Sequence, residues 1–512
     1  MNKITNLNYG TLKGSDKCML ISLIVIGFQS VKFRNNPELL EEALCEIIDE
    51  RIIQEVIRVL YSYNGDINFL ANEVKDFLQR HVGEKDLIGK LYIEFLKDAG
   101  KIDDKNVILT PNHIRHLMCR LGDVKSNEVV IDNCSGTCGF GVECLGMVDC
   151  NYIGIEIDPK LYIIGYANLL LLGTDGWKLV CGDGLVELKE CDKCVINPPY
   201  DKNLSFDFLL SLMRNLKSEG KIVILAPSNL LKKNKKRLRE ITEHLTLEVM
   251  MQMPENLFSE QGRSVRTSIF VFRKNPQDYT KTTTVYDLDD DGFVTIQRKG
   301  RVDVTNSWNK REDNIISQLT DNCYQRRLFD DCGNFHQNGI RDIEEGYYKI
   351  GDLFDVSKGS LSSEKAIDGD YTFLTASEEY KTHTSYTHDC EALIIAVGAS
   401  GSLGRTHYYK GKFVASNLCL IMTVKDSMKD MVNLEYLCYY FNSIKNKIRK
   451  ELGDGSAKIT ISKDDLCEYY IKIPTIEEQN AIYEKYIKRL NVMKSNVKIL
   501  ENELDNIIRT TV

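Results

Sequence analysis

Val195-Ile196-Asn197-Pro198-Pro199-Tyr200 is a short apolar run closed by two prolines and an aromatic. Lys193 to Ile196 reads as a buried strand, and Pro198 and Pro199 stop it, because neither can donate to a sheet ladder and each restricts the residue before it. The turn leaving the strand is therefore stiff. Such a turn aims the Asn197 carboxamide and the Pro198 carbonyl at one point, with Tyr200 beside them as a flat face, a set that suits a planar ligand carrying an exocyclic amino group. A rigid loop after a strand would explain the same residues, so the decision rests on their surroundings.

Upstream, Glu128 to Asp132 reads as a buried strand opening into Asn133-Cys134-Ser135-Gly136-Thr137-Cys138-Gly139-Phe140-Gly141 and a helical run. Small residues directly after a parallel strand let the backbone approach a ligand, with the next helix's N-terminus facing it. Tyr152 to Glu156 is a second strand ending in a carboxylate, placed where a ribose diol finds its acceptor in a nucleotide-type sheet. A helix from Pro159 to Leu172 follows, then a third strand from Trp177 that ends at Asp183. With Lys193 to Ile196, four strands end in polar residues along one edge, where ligands of open parallel sheets bind. Each acid alone would read as a turn former or cap. Downstream, a helix over Phe206–Leu216, a strand over Gly220–Pro227 and the stretches Met253–Phe258 and Thr267–Phe272 continue the alternating order of a doubly wound α/β fold.

Before this block, residues 1–100 read as a helical domain, with apolar pairs such as Leu39-Leu40, Ala43-Leu44 and Ile47-Ile48 at helical spacing. The run from Cys18 to Phe28, about 11 residues, is too short to span a bilayer and reads as buried core. Asp66 with Glu73-Val74-Lys75 imitates a nuclease acid set, but its helical surroundings indicate a solvated face. Thr110-Pro111 reads as a cap followed by proline at the first helical position, ahead of an apolar face of Ile114, Leu117, Met118 and Leu121. The basic run Lys232, Lys233, Lys235, Lys236, Arg237 and Arg239 fits either a solvated helix face or phosphate contacts.

Residues 101–276 thus form the α/β domain, and 277–345, with the acidic run Asp287 to Asp291, reads as a connecting region. From 346 to 475 the pattern is β-rich, with strands over Leu393–Val397 and Asn417–Met422 and a helix over Leu434–Asn442. Residues 476–512 predict a long coiled-coil-like helix: Tyr483, Tyr486, Leu490, Met493, Val497, Leu500, Leu504 and Ile507 recur at intervals of three and four. Such a seam faces another helix of this chain, a second copy, or a partner subunit.

The bulk numbers fit this plan. Hydrophobic residues at 43% and charged residues at 27% describe neither a disordered chain nor a membrane protein. A net charge of −8 is not a global basic signature, so contact with nucleic acid would come from local patches. Sixteen cysteines scattered through apolar segments point to a reducing, cytoplasmic compartment. Cys191-Asp192-Lys193-Cys194 runs into a buried strand without a second pair, so it reads as structural and no metal is expected.

Leu109 to Met118, Asp132 to Phe140, Gly154 to Glu156, Gly182-Asp183, Asn197 to Tyr200 and Met253 to Phe258, in this order, resemble the modification subunit of type I restriction-modification systems, an adenine-N6 DNA methyltransferase. Lys349 to Gly359, the Leu393 to Met422 block and Ile473 to Ile482 look like half of the matching specificity subunit, one target-recognition domain with its spacer helix. The resemblance implies a Rossmann-like S-adenosylmethionine-dependent methyltransferase sheet and an α+β target-recognition domain. It also implies that Thr110, Pro111, Asp132, Cys134, Ser135, Gly136, Thr137, Gly139, Phe140, Glu156, Asp183 and Asn197 hold S-adenosyl-L-methionine. Asn197, Pro198, Pro199 and Tyr200 would bind an adenine flipped out of double-stranded DNA, with Lys410 and Lys412 on phosphates. Two departures stand out. In the loop, Asn133, Cys134 and Ser135 replace the usual residues and Cys138 replaces a glycine, which costs energy if that position needs φ > 0, and the fusion with a single recognition domain departs from the separate, two-domain specificity subunit. The implied partners are DNA, a homodimer or helical subunit through 476–512, and a separate restriction nuclease. The competing expectations are a methyltransferase of protein glutamine, a ribosomal RNA base or cytosine N4, and a DNA-binding specificity protein that has lost catalysis.

Overall fold

The computed structural model describes residues 1–98, 108–186, 188–200, 203–232, 234–261, 265–296, 300–320, 324–340, 346–399, 401–453 and 459–490, together with 492, 493, 496 and 500. They form two compact units, Met1–Ile340 and Arg341–Val512.

The first unit is built on a ten-stranded sheet. Its strands are β1 (Val129–Asp132), β2 (Asn151–Glu156), β3 (Trp177–Cys181), β4 (Cys191–Ile196), β5 (Leu216–Pro227), β6 (Thr246–Gln252), β7 (Thr267–Arg273) and β8 (Thr283–Asp287). A hairpin of β9 (Val294–Ile296) and β10 (Gly300–Val302) stands apart from the sheet, which then takes in β11 (Gln325–Phe329) and β12 (Phe335–Ile340). The order is β12-β11-β8-β6-β7-β5-β4-β1-β2-β3. β1 pairs in parallel with both β2 and β4, so successive crossovers leave in opposite directions from this point and a crevice opens at the carboxyl ends of β1 and β4. β7 runs antiparallel between β5 and β6.

Two elements depart from the expected plan. The stretch 277–345, read as a connection, extends the sheet instead: β8 pairs in parallel with β6, and β11 and β12 follow antiparallel at the edge. β6 itself, Thr-Leu-Glu-Val-Met-Met-Gln, was not anticipated. Edge strands such as Gln-Arg-Arg-Leu-Phe bury only one or two side chains, so they lack the continuous apolar run of a central strand.

The N-terminal helices pack on one another and on the helix Pro159–Leu170, which itself lies against β2 and β3. Gly14–Gly27 is buried all round, with Cys18, Met19, Leu20, Ile21, Leu23 and Ile24 wholly inaccessible, which explains an apolar run without an amphipathic stripe. It packs on the helix Pro159–Leu170, and Lys160 Nζ reaches Asp16 at 2.9 Å across that junction. Asp66 caps the helix Ile67–Arg80, and Glu73 pairs with Lys3 at 2.7 Å, so the acid set is structural. No helix among the described residues is long and apolar enough to cross a membrane.

The second unit contains a two-stranded pair, β13 (Tyr347–Lys349) with β20 (Tyr470–Lys472), and a six-stranded sheet. The sheet holds β14 (Phe354–Lys358), β15 (Tyr371–Leu374), β16 (Lys381–His383), β17 (His388–Ala396), β18 (Thr406–Ala415) and β19 (Cys419–Val424), in the order β14-β19-β17-β18-β15-β16. The helix Leu434–Ser443 backs it, as expected from sequence.

The long terminal helix is not seen among the described residues. A capping box of Thr475 and Glu478 opens the helix Ile476–Ile482, and a π-helical turn over Tyr483–Ile487 follows. The start of the seam is consumed internally: the Tyr483 hydroxyl donates to Glu435 Oε1 at 2.7 Å, and Ile487 is buried in the core of this unit. Tyr486, Met493 and Leu500 are exposed. Val497, Leu504 and Ile507 lie outside the described residues, as does Lys233 of the basic run.

Candidate active site

The parallel register of β1 and β4 matches Ile131 with Cys194, so the residues that follow each strand leave the sheet side by side. Asp132 ends β1, Glu156 ends β2, and Asn197 directly follows β4. The backbone N–H of Asn197 faces the Cys134 thiol, which burial pushes well above its ordinary pKa. The glycine-rich turn and the Asn-Pro-Pro-Tyr turn are therefore in contact.

Within the first turn, Ser135 N–H donates to the Ile155 carbonyl at 3.0 Å and Cys138 N–H to the Ser135 carbonyl at 2.7 Å. Gly136 has φ 53°, and a side chain there would meet nothing within 4 Å, so the loop leaves open space at its tip. Cys138 also lies in the left-handed region, at φ 61°, as the cap of the helix Gly139–Met147. A Cβ on Gly139 would strike the Arg115 guanidinium, which explains why the helix begins on glycine. Thr137 is buried, its carbonyl accepting from Asn168 at 3.0 Å, and Phe140 belongs to the core. Neither side chain is shown to line the crevice.

The two inner carboxylates are set by neutral donors. Glu156 Oε2 accepts from Gly136 N–H at 2.7 Å and Oε1 from Asp158 N–H at 2.9 Å, tying the turn to the end of β2. Burial raises its pKa above the usual carboxylate range. Asp132 accepts from Cys134 N–H and from the Tyr152 hydroxyl, each at 3.3 Å. Burial, with the nearby Glu156 charge, raises Asp132 to about 7. Among the described residues no cation bonds either group. Asp183, which follows β3, is exposed and accepts from Leu185 N–H at 2.9 Å. Ile157 is 68% exposed beside Glu156, and Val186 is 58% exposed beyond Asp183.

In the second turn, Asn197 Nδ2 donates to the Thr110 hydroxyl at 2.9 Å and to the Ile108 carbonyl at 3.2 Å. Its Oδ1 accepts from the Tyr200 hydroxyl at 2.7 Å. Thr110 is thus not the helix cap expected from sequence: the helix begins at Asn112, Pro111 occupies the cap position, and no side chain caps it. Pro198 is buried, Pro199 is exposed, and the Pro199 carbonyl accepts from Ser205 at 3.1 Å. The Tyr200 ring stands edge-on to Phe258, 6.3 Å between centroids, which brings the Met253 to Phe258 stretch to the same turn. The thiols of Cys191 and Cys194, both on β4, lie 3.4 Å apart and are wholly buried.

The basic side chains lie elsewhere. Lys235 and Lys236 are exposed at the start of the helix Lys235–Thr242, whose Arg237 pairs with Asp207 at 2.7 Å. In the second unit Lys410 pairs with Glu391 at 3.1 Å, and the Lys412 ammonium stands 4.8 Å over the Tyr386 ring.

Residues 83–207 and 201–317 match the N-6 DNA Methylase family, and residues 344–503 match the Type I restriction modification DNA specificity domain. The chain is similar to the type II restriction enzyme and methyltransferase RM.BcgI of Heyndrickxia coagulans, with 26% identity covering 60% of this chain and 58% of that protein. It is also similar to the type I restriction enzyme EcoDI specificity subunit of Escherichia coli, with 29% identity over 30% of this chain and 33% of that one. A solved methyltransferase subunit of a type I restriction-modification system from Streptococcus thermophilus aligns at 19% identity and TM-score 0.40, covering 50% of this chain and 62% of that chain. The chain spans 58% and 33% of the length of these two curated relatives.

Proposed function

Because the chain fuses an N-6 DNA methylase domain to a type I DNA specificity domain, we propose that it transfers a methyl group from S-adenosyl-L-methionine to N6 of adenine in double-stranded DNA. The observation that supports this reading is the meeting of the two turns: the backbone of Asn197, directly after β4, meets Cys134 of the glycine-rich turn, which is tied to two buried carboxylates that no cation bonds among the described residues. The residues fit the donor. Asp132 offers a negative charge to its ammonium or sulfonium, Glu156 retains free lone pairs for ribose hydroxyls, Asp183 accepts from the adenine amino group, and Ile157 and Val186 flank the ring. S-adenosyl-L-methionine supplies an electrophilic methyl group on sulfur.

Asn197 Oδ1 and the Pro198 carbonyl accept hydrogen bonds from the target amino group and keep its lone pair aimed along the transfer line; the turn contributes orientation and exclusion of water. Tyr200 engages one lone pair of the oxygen and leaves the second for the target amino group, and the Tyr200 ring replaces the stacking lost on flipping. The second unit reads base edges, with Lys235, Lys236, Lys410 and Lys412 on phosphates. Asn197→Ala is expected to leave donor binding nearly intact, measured by calorimetry, while abolishing N6-methyladenine in DNA exposed to the enzyme. Equal loss of both would overturn the assignment.

A further inference from the structure

The carboxamide of Asn197 is oriented from outside its own strand. A backbone carbonyl carries no proton, so the group that faces the Ile108 carbonyl must be the amino half of the amide, and the oxygen must turn the other way. The Thr110 hydroxyl accepts the second N–H of the same amino group. Ile108 and Thr110 flank Leu109, and none of the three belongs to a helix or strand. What holds them is one side chain 152 positions away. Gln261 Oε1 accepts from Leu109 N–H at 2.9 Å, and Gln261 Nε2 donates to the Leu109 carbonyl at 2.7 Å. A single carboxamide thus reproduces both bonds that a neighbouring strand would make, and both ends of its amide are assigned by the backbone groups they meet.

We propose that Gln261 and Thr110 are positioning residues for the methyl transfer: Gln261 anchors Leu109, and the Ile108 carbonyl and Thr110 hydroxyl thereby fix which end of the Asn197 carboxamide faces the target. The inference rests on the adenine-methylation reading and gives Thr110 a role separate from donor binding. The chemistry requires such a lock. Turned by half a rotation, the Asn197 amide would present its own N–H groups to an amino group that must donate, replacing an attraction by a repulsion at the reacting nitrogen. Oriented acceptors act on the transition state only if they are held before the substrate arrives.

The test uses the full chain, radiolabelled S-adenosyl-L-methionine, and DNA from a bacterial strain lacking adenine methylation. Thr110→Val removes the acceptor at nearly constant shape, Thr110→Ser retains it, and Gln261→Glu keeps the acceptor for Leu109 N–H but cannot donate to the Leu109 carbonyl. Thr110→Val and Gln261→Glu are each expected to lower kcat at least about tenfold while the donor KM and Kd stay within roughly threefold, and Thr110→Ser to recover most of kcat. Retained donor Kd reports an intact fold; if Gln261→Glu fails to fold, the valine and serine pair decides. An unchanged kcat in Thr110→Val, or a raised donor KM with kcat intact, overturns the inference while leaving adenine methylation standing. A wild-type chain that labels no adenine overturns the function itself and the inference with it.

Discussion

Cys138 stands at φ 61° in the glycine-rich turn, where a glycine would be free of strain. The sequence raised this cost conditionally, and the backbone meets the condition. The side chain has nonetheless been accommodated: it is wholly buried, and Gly165 lies opposite, where an added Cβ would come within 2.6 Å of the Cys138 sulfur. A left-handed non-glycine residue costs about 1–2 kcal/mol, offset in part by the roughly 0.5–1 kcal/mol that glycine loses through its freer unfolded chain. Cys138→Ala and Cys138→Gly both delete the thiol, but only the first keeps the strained conformation. The glycine variant is expected to be the more stable of the two by roughly 0.5–1 kcal/mol, read as the difference in urea midpoints; an alanine variant equal to or more stable than glycine would show that the position is unstrained. Single residues were legible here to the extent that their role is local. Asp132, Glu156 and Asn197 close predicted strands and so announced themselves, whereas Gln261 acts through a backbone 152 positions away and left no pattern to read.

At the scale of elements, the helix Asn112–Gly122 joins the parts of the first unit. Of its expected apolar face, Ile114, Leu117 and Met118 are buried and Leu121 is half-buried. Most of its polar residues are engaged by other elements. Arg115 forms a buried ion pair with Asp86, whose other oxygen accepts from Asn168 at 2.7 Å, so N-terminal helices, glycine-rich turn and the helix Pro159–Leu170 meet on one carboxylate. His113 stacks on Phe293, 3.8 Å between centroids, and bonds Asp291 at 3.1 Å, while His116 bonds Glu312 at 2.8 Å. Burial lowers the His113 pKa, which favours the neutral ring. These contacts attach residues 283–320 to the core, which is why a stretch with few apolar runs is part of the domain: its anchors are charged and aromatic side chains that periodicity does not register. Asp86→Asn keeps a residue type that tolerates the left-handed backbone at φ 54° but leaves the Arg115 charge uncompensated. The expected loss is about 3 kcal/mol, at the low end for breaking a buried pair because the amide still bonds. A loss below about 1 kcal/mol in urea unfolding would mean that the Arg115 charge is solvated elsewhere.

At the scale of the molecule, the division at Ile340 separates hydrophobic cores as well as folds. Every residue of the two cores in the first unit precedes 340, and every residue of the two in the second follows 349. The return to long apolar runs after Tyr347 is what ends the connecting region at 345 in the sequence reading, and no such pattern marks residues 325–340, which complete the first sheet. Units with separate cores need not unfold together, since cooperativity follows shared burial and not the covalent link. Leu393, on β17, is wholly inaccessible in the second unit's core. Leu393→Ala is expected to cost that unit about 2–5 kcal/mol, and the whole cost should fall on one transition. In thermal or urea unfolding followed by two probes, donor binding for the first unit and total ellipticity for the chain, the variant should lower the second unit's midpoint and leave the donor-binding midpoint where it was. On the proposed function, methylation should then lose its site preference under conditions where the donor is still bound, because the second unit has unfolded while the sheet of the first remains folded. A donor-binding midpoint that moves in step with the substitution would instead show that the two units stabilise each other, and the recognition domain would have to be counted as part of the catalytic fold.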